Sequence, residues 1–251
     1  MNKQLTFTEL REQNEKYSLV VNLLAASLNP PIFYHSGQEH YGFRYGDPGA
    51  RHFCILKAAK MISCLNGCIA LAEQGFHQEI FMLIRTYIES DAQIHYVLGD
   101  LKEIDLGVEQ SKFIKDFFAD YQRNDANDFK RPRISQKKLH DAIGEFLDSN
   151  TTLNDPRHGG PTTASTLMSN VYLTSSNYVH ARYPEIMDLY GGSPGKFHMS
   201  GMKNTPKDAE SFEAISTFIE STPILLRSII VKFKMQNVLK GKAELLDTLY
   251  K

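Results

Sequence analysis

The chain has 251 residues, of which 42% are hydrophobic and 23% charged, and its formal net charge is −1. That length suits one large domain or two small ones. A near-neutral field excludes whole-molecule attraction to nucleic acid or to an anionic membrane, so either partner would need a local patch.

The first helix opens on Thr6 with Glu9 three residues later, the spacing of a capping box. Its apolar positions run to about Leu28, where Asn29-Pro30-Pro31 ends it. A loop of about twenty residues is expected next, rich in aromatics: Phe33, Tyr34, Tyr41, Phe43 and Tyr45, with His35 and His40. Asp47-Pro48 starts a second helix, capped at Gly75. It is apolar almost all round, leaving Lys57, Lys60, Ser63 and Asn66 as a thin polar strip, so it should be central. A third helix spans Phe76 to Gly99, a fourth about Val108 to Arg123, and a fifth about Ser135 to Ser149. The stretch from Asn150 to Thr163 is rich in Thr, Asn, Pro and Gly and reads as a loop. A sixth helix covers about Ala164 to His180, and Pro184 biases Tyr183 away from helical geometry. Thr205-Pro206 opens a last long helix to about Leu239, kinked at Pro223. No strand-period segment stands out beyond a weak one near Lys196–Met202. The expectation is a single all-α domain over residues 1–251, a bundle of about six to eight helices.

Cys54, Cys64 and Cys68 fall in one apolar helix, and their odd number gives no disulfide framework. Buried free thiols and a reducing, cytoplasmic setting follow as expectations. The N-terminus shows no apolar segment of a signal peptide. Lys57, Lys60, Arg85 and Arg227 interrupt the longest apolar runs, so no membrane span is expected.

The most informative polar feature is Arg85 and Glu89. They lie four apart on one helical face, among Phe81, Met82, Ile88, Ala92 and Tyr96. A charged pair there must be paired and hydrogen-bonded. The order Arg before Glu is the weaker one for helix stability, so a structural bridge and a site component both stay open. His95 stands at the edge of Arg85's reach. A second candidate is Asn177-Tyr-Val-His180-Ala-Arg182-Tyr-Pro184, with His180 as acid or base and Arg182 as an anion clamp; the helix dipole alone also favours a His there. Third are two acid-free basic runs. One holds Lys130, Arg131, Arg133, Lys137 and Lys138; the other holds Arg227, Lys232, Lys234, Lys240 and Lys242. Either suits phosphates or a solvated face. Glu73 and His77 have no second Glu-x-x-His pair and no His-Glu-x-x-His occurs, so neither metal nor cofactor is expected.

The segment Ala72 to Glu89 and the segment Ser176-Asn-Tyr-Val-His180 resemble a family of uncharacterised bacterial helical proteins. In that family an Arg-x-x-x-Glu helix is followed much later by Tyr-x-His. It resembles the HEPN-like helical bundles, many of which are metal-independent ribonucleases of toxin and antiphage systems. The resemblance implies a cytosolic bundle of a defence or stress system, with RNA as substrate and a homodimer as its assembly. His180 would then be the acid/base group, Arg85 or Arg182 would stabilise phosphorane charge, and Glu89 would orient Arg85. The chain departs from the HEPN pattern of Arg, four to six residues, then His: only Arg133 and His140 fit, and chance alone supplies about one such match in this composition. A non-catalytic interaction protein, holding a protein partner or small ligand on Phe33–Tyr45, is the competing expectation.

Overall fold

The computed structural model describes residues 6–36, 40–99, 106–119, 134–146, 153–154 and 161–250. The chain runs α1 (Phe7–Ala26), β1 (Ile32–Ser36), β2 (His40–Arg44), α2 (Ala50–Ala72), α3 (His77–Gly99), α4 (Val108–Phe118), α5 (Gln136–Phe146), β3 (Leu153–Asn154), β4 (Pro161–Thr162), α6 (Ala164–Val179), α7 (Tyr183–Met187), α8 (Pro206–Lys232) and α9 (Ala243–Tyr250). A short 3-10 turn over Gln236–Leu239 precedes α9. Seven described helices have 11 or more residues, as an all-α bundle requires.

The capping box forms as expected: the Glu9 N–H donates to Thr6 Oγ1 at 3.2 Å, and the Thr6 N–H donates to Glu9 Oε2 at 2.7 Å. Helices α1, α2 and α3 pack in sequence, α2 lying between the other two. Leu65 and Ile69 of α2 and Ile80, Ile84 and Ile88 of α3 are essentially free of solvent. Burial of each such side chain contributes about 1.5–3 kcal/mol. Asn14 fixes the register of α1 on α2, donating from Nδ2 to the Ile62 carbonyl at 3.2 Å and to Asn66 Oδ1 at 2.8 Å. α8 continues through Pro223. Beside it, the Phe218 carbonyl accepts from the hydroxyls of Thr222 at 2.7 Å and Tyr87 at 3.2 Å, tying α8 to α3.

Several expectations change. The aromatic loop after α1 is an antiparallel hairpin, with Phe33 opposite Phe43 and His35 opposite Tyr41. Its alternation was hidden because both faces carry aromatics, whereas a half-buried strand alternates apolar with polar. A two-residue ladder, β3 with β4, lies within the expected 150–163 loop. Tyr183 begins α7 rather than leaving helical geometry: Pro184 falls in the first helical turn, where a missing N–H costs little. The last long helix stops at Lys232, because Lys234 turns left-handed with φ +54°. α2 and α8 each contain an 18-residue window of mean hydropathy 1.5 and 1.4, long and apolar enough to cross a membrane. Here they pack on each other and on α1, and half of the α2 window is buried in the bundle. By composition alone they are weak evidence for a span, because the core helices of soluble bundles share it.

All three cysteines are buried and free. Burial raises the thiol pKa of each, for Cys68 to about 12, so thiolate chemistry is suppressed. Two glycines lock the turn between α2 and α3 against the segment before α8. Gly75 has φ +80° and Gly201 φ +102°, and a Cβ on Gly201 would lie 2.3 Å from the Gln74 carbonyl oxygen. Gly201→Ala should therefore lower the unfolding free energy by about 2 kcal/mol or more. Gly192→Ala, left-handed but with open space around it, should lower it by only about 1 kcal/mol. Denaturant titration of both variants checks this, and equal losses would show that the crossing is not tight.

Candidate functional site

Helices α5 and α6 pack on each other and on α3, and the side chains between them form one polar cluster. Arg85 Nε donates to Glu89 Oε1 at 3.2 Å. Arg85 Nη2 donates to the Tyr172 hydroxyl at 3.1 Å, and that hydroxyl donates to the same Glu89 oxygen at 3.2 Å. The guanidinium carbon also sits 5.2 Å from the centre of the Tyr172 ring, a cation–π distance. Three groups 83 and 87 residues apart in sequence thus close a hydrogen-bonded ring. The pair is half-buried, with Arg85 21% and Glu89 32% exposed, so it is held by neighbours yet still reaches solvent.

His140 of α5 completes the cluster. Its ring packs edge-on against Tyr172, with centroids 5.2 Å apart, and its Nδ1 lies 2.9 Å from Ser169 Oγ. Its Nε2 is shut off from solvent and has no hydrogen-bond partner among the described residues. A buried ring nitrogen without a partner is uncommon enough to require an explanation. Burial lowers the His140 pKa, with Asp141 opposing, so the imidazole is neutral at pH 7. Burial and the Glu89 charge raise the Tyr172 pKa, with Arg85 opposing, so the phenol stays protonated. Lys57 of α2, its Nζ 4.8 Å from the Phe117 ring centre, is the next cation. Burial lowers its pKa while the Glu89 charge raises it.

The other expected residues lie elsewhere. His180 is the exposed C-cap of α6, eight residues beyond Tyr172, which is about 12 Å along a helix. Phe81 stacks on Tyr178 at 4.6 Å, so the two helices run antiparallel and His180 faces the start of α3 rather than Arg85. Arg182 is the exposed N-cap of α7. The expected grouping of His180 and Arg182 with Arg85 and Glu89 therefore does not form. His95 turns to its own neighbour, Nδ1 lying 3.1 Å from Asp91 Oδ1. Lys137 is exposed and paired to Asp141 at 2.6 Å, and Lys138 pairs with Glu109. Lys138 and Asp141 line a cavity of about 690 Å³ with Tyr96, Glu109 and Lys232. Lys130, Arg131 and Arg133 fall outside the described residues.

A second constellation has the residue types of a hydrolase triad. His77 Nδ1 is 2.6 Å from Ser211 Oγ, and Nε2 is 3.0 Å from Asp208 Oδ1. Ser211 has no exposure at all, so no carbonyl can approach its hydroxyl. The group joins the first turns of α3 and α8 and is structural. Among the described residues, no three His, Cys, Asp or Glu side chains are arranged to hold a metal ion.

No family model, curated protein or solved structure matches the chain.

Because the folded-state pKa of His140 is depressed, the unfolded chain takes up a proton first as pH falls. This group's contribution to stability is full above about pH 6.5 and is lost as pH falls below that value. An NMR titration of the His140 ring protons should give a midpoint below 6.5, and a higher midpoint would contradict the described packing.

Proposed function

We propose that the molecule is a HEPN-like bundle that cleaves RNA without a metal, with its reacting groups at the Arg85–Glu89–Tyr172–His140 cluster. The observation that carries this reading is the His140 imidazole, whose Nε2 has no partner among the described residues, packed on the Tyr172 ring that also holds Arg85, an arginine that reaches solvent. In such a reaction His140 Nε2 takes the proton of a ribose 2′-hydroxyl as the 2′-oxygen bonds to phosphorus. The P–O5′ bond breaks, the departing 5′-oxygen takes a proton from water, the proton held by His140 returns to solvent, and a 2′,3′-cyclic phosphate results. Arg85 meets the charge that develops on the phosphoryl oxygens, and Lys57 adds positive potential. For Nε2 to act as the base, Nδ1 carries the proton and donates it to Ser169 Oγ, 2.9 Å away. Nε2 is closed to solvent in the folded chain, so the reaction requires the groups that cover it to move aside.

A second reading, an interaction protein in which the ring is a structural tie, is favoured by how completely Arg85, Glu89 and Tyr172 satisfy one another. One assay separates the two. Purified protein in EDTA should cleave single-stranded RNA. His140→Gln should lose a hundredfold or more of that rate, within the range of general acid–base catalysis. His180→Ala should cleave as the wild type does. Absence of cleavage by the wild type would remove the ribonuclease reading, and equal loss in both variants would remove the assignment to His140.

A further inference from the structure

The hairpin arm between α1 and α2 has aromatic groups that the fold does not use. Phe33 is 60% exposed, Phe43 67%, Ile32 62% and Tyr34 43%. Phe33 and Phe43 are cross-strand partners on one face, their rings edge-on at 5.5 Å, and the register places His35 and Tyr41 opposite each other two residues further on. Phe33 and Phe43 thus present an aromatic surface to solvent. A two-stranded hairpin is marginal in water, and such a surface calls for an occupant.

Charge indicates which occupant. The strands contain Arg44, His35 and His40 and no carboxylate. From Arg44 to Lys60 the chain carries Arg44, Arg51, Lys57 and Lys60 against Asp47 alone. Arg51 lies over the Phe233 ring at 5.9 Å and Lys57 over Phe117 at 4.8 Å, so cations and aromatic faces alternate onward from the arm. Lys57 is seven residues into α2, about 10 Å from the helix start that the arm feeds, and it belongs to the surroundings of Glu89. Along α2, Lys57 lies between the arm at the N-terminal end and the level of Arg85, which stands near Gly67, where Leu83 comes close. Flat aromatic rings interleaved with cations are the chemistry that holds single-stranded nucleic acid, whose bases stack while its phosphates pair with Lys and Arg.

We propose that the β1–β2 arm is a stacking platform for single-stranded RNA. The choice of RNA as ligand rests on the ribonuclease reading; the platform does not. The test is fluorescence anisotropy with a labelled 2′-O-methyl-uridine 12-mer, which lacks the attacking hydroxyl and cannot be cleaved. The wild type should bind it, and a dT 12-mer should bind comparably because stacking tolerates either sugar. A 12-base-pair RNA duplex should bind at least tenfold more weakly. Phe33→Ala with Phe43→Ala should weaken single-strand binding tenfold or more without changing the melting temperature, since both rings are exposed. Arg44→Gln should reduce the slope of log affinity against log salt by about one.

Absence of single-strand binding by the wild type would overturn the proposal. So would unchanged affinity in the Phe33/Phe43 variant. Binding that depends on both phenylalanines, in a protein that cleaves no RNA, would keep the platform and remove the ribonuclease reading. Cleavage with unchanged affinity in that variant would do the reverse.

Discussion

Helix α3 packs against α2, α5, α6 and α8, and a helix so enclosed leaves little water for its polar side chains. Arg85 and Glu89 stand on it nonetheless. The Arg–Glu bond alone leaves guanidinium protons and carboxylate lone pairs unused, and half-buried groups of that kind are costly without further partners. Tyr172 supplies both a donor and an acceptor through one hydroxyl. This requirement holds α6 against α3 at one height, and α5 then closes over Tyr172 with His140. The position of the cluster follows from satisfying one charged pair on the central helix.

The helices were legible in the sequence because their signals are local. The Thr6–Glu9 box, the all-round apolar character of the 50–72 stretch and the Arg85–Glu89 spacing all lie within a few turns. What failed was either doubly patterned or distant. The hairpin places aromatic residues on both faces, so period-two alternation is invisible. Tyr172 and His140 reach the cluster across dozens of residues, and no spacing rule reports such a meeting. His140 did stand in an Arg-to-His spacing, but at a frequency that chance supplies, so the signal carried no weight. His180 was singled out because a local run of His, Arg and Tyr looks like a site. In the fold it caps a helix in solvent, and capping alone accounts for that composition.

Two polar constellations in the molecule differ in how their members meet solvent. Ser211, His77 and Asp208 are linked at short distances, but their serine has no exposure. The Arg85 cluster has longer contacts, and its charged members reach solvent. Tight geometry in the first case joins two helix starts. In the second, Arg85 and Glu89 keep contact with solvent while His140 Nε2 does not.

The burial of the three thiols also makes the chain convenient to label. Cys54, Cys64 and Cys68 lie within the core, with pKa values raised by desolvation, so a maleimide reagent under native conditions finds little to react with. A single new thiol at the exposed arm, such as Ile32→Cys, would then carry a dye or spin probe against a quiet background. The natural sequence is already the cysteine-silent scaffold that such spectroscopy needs.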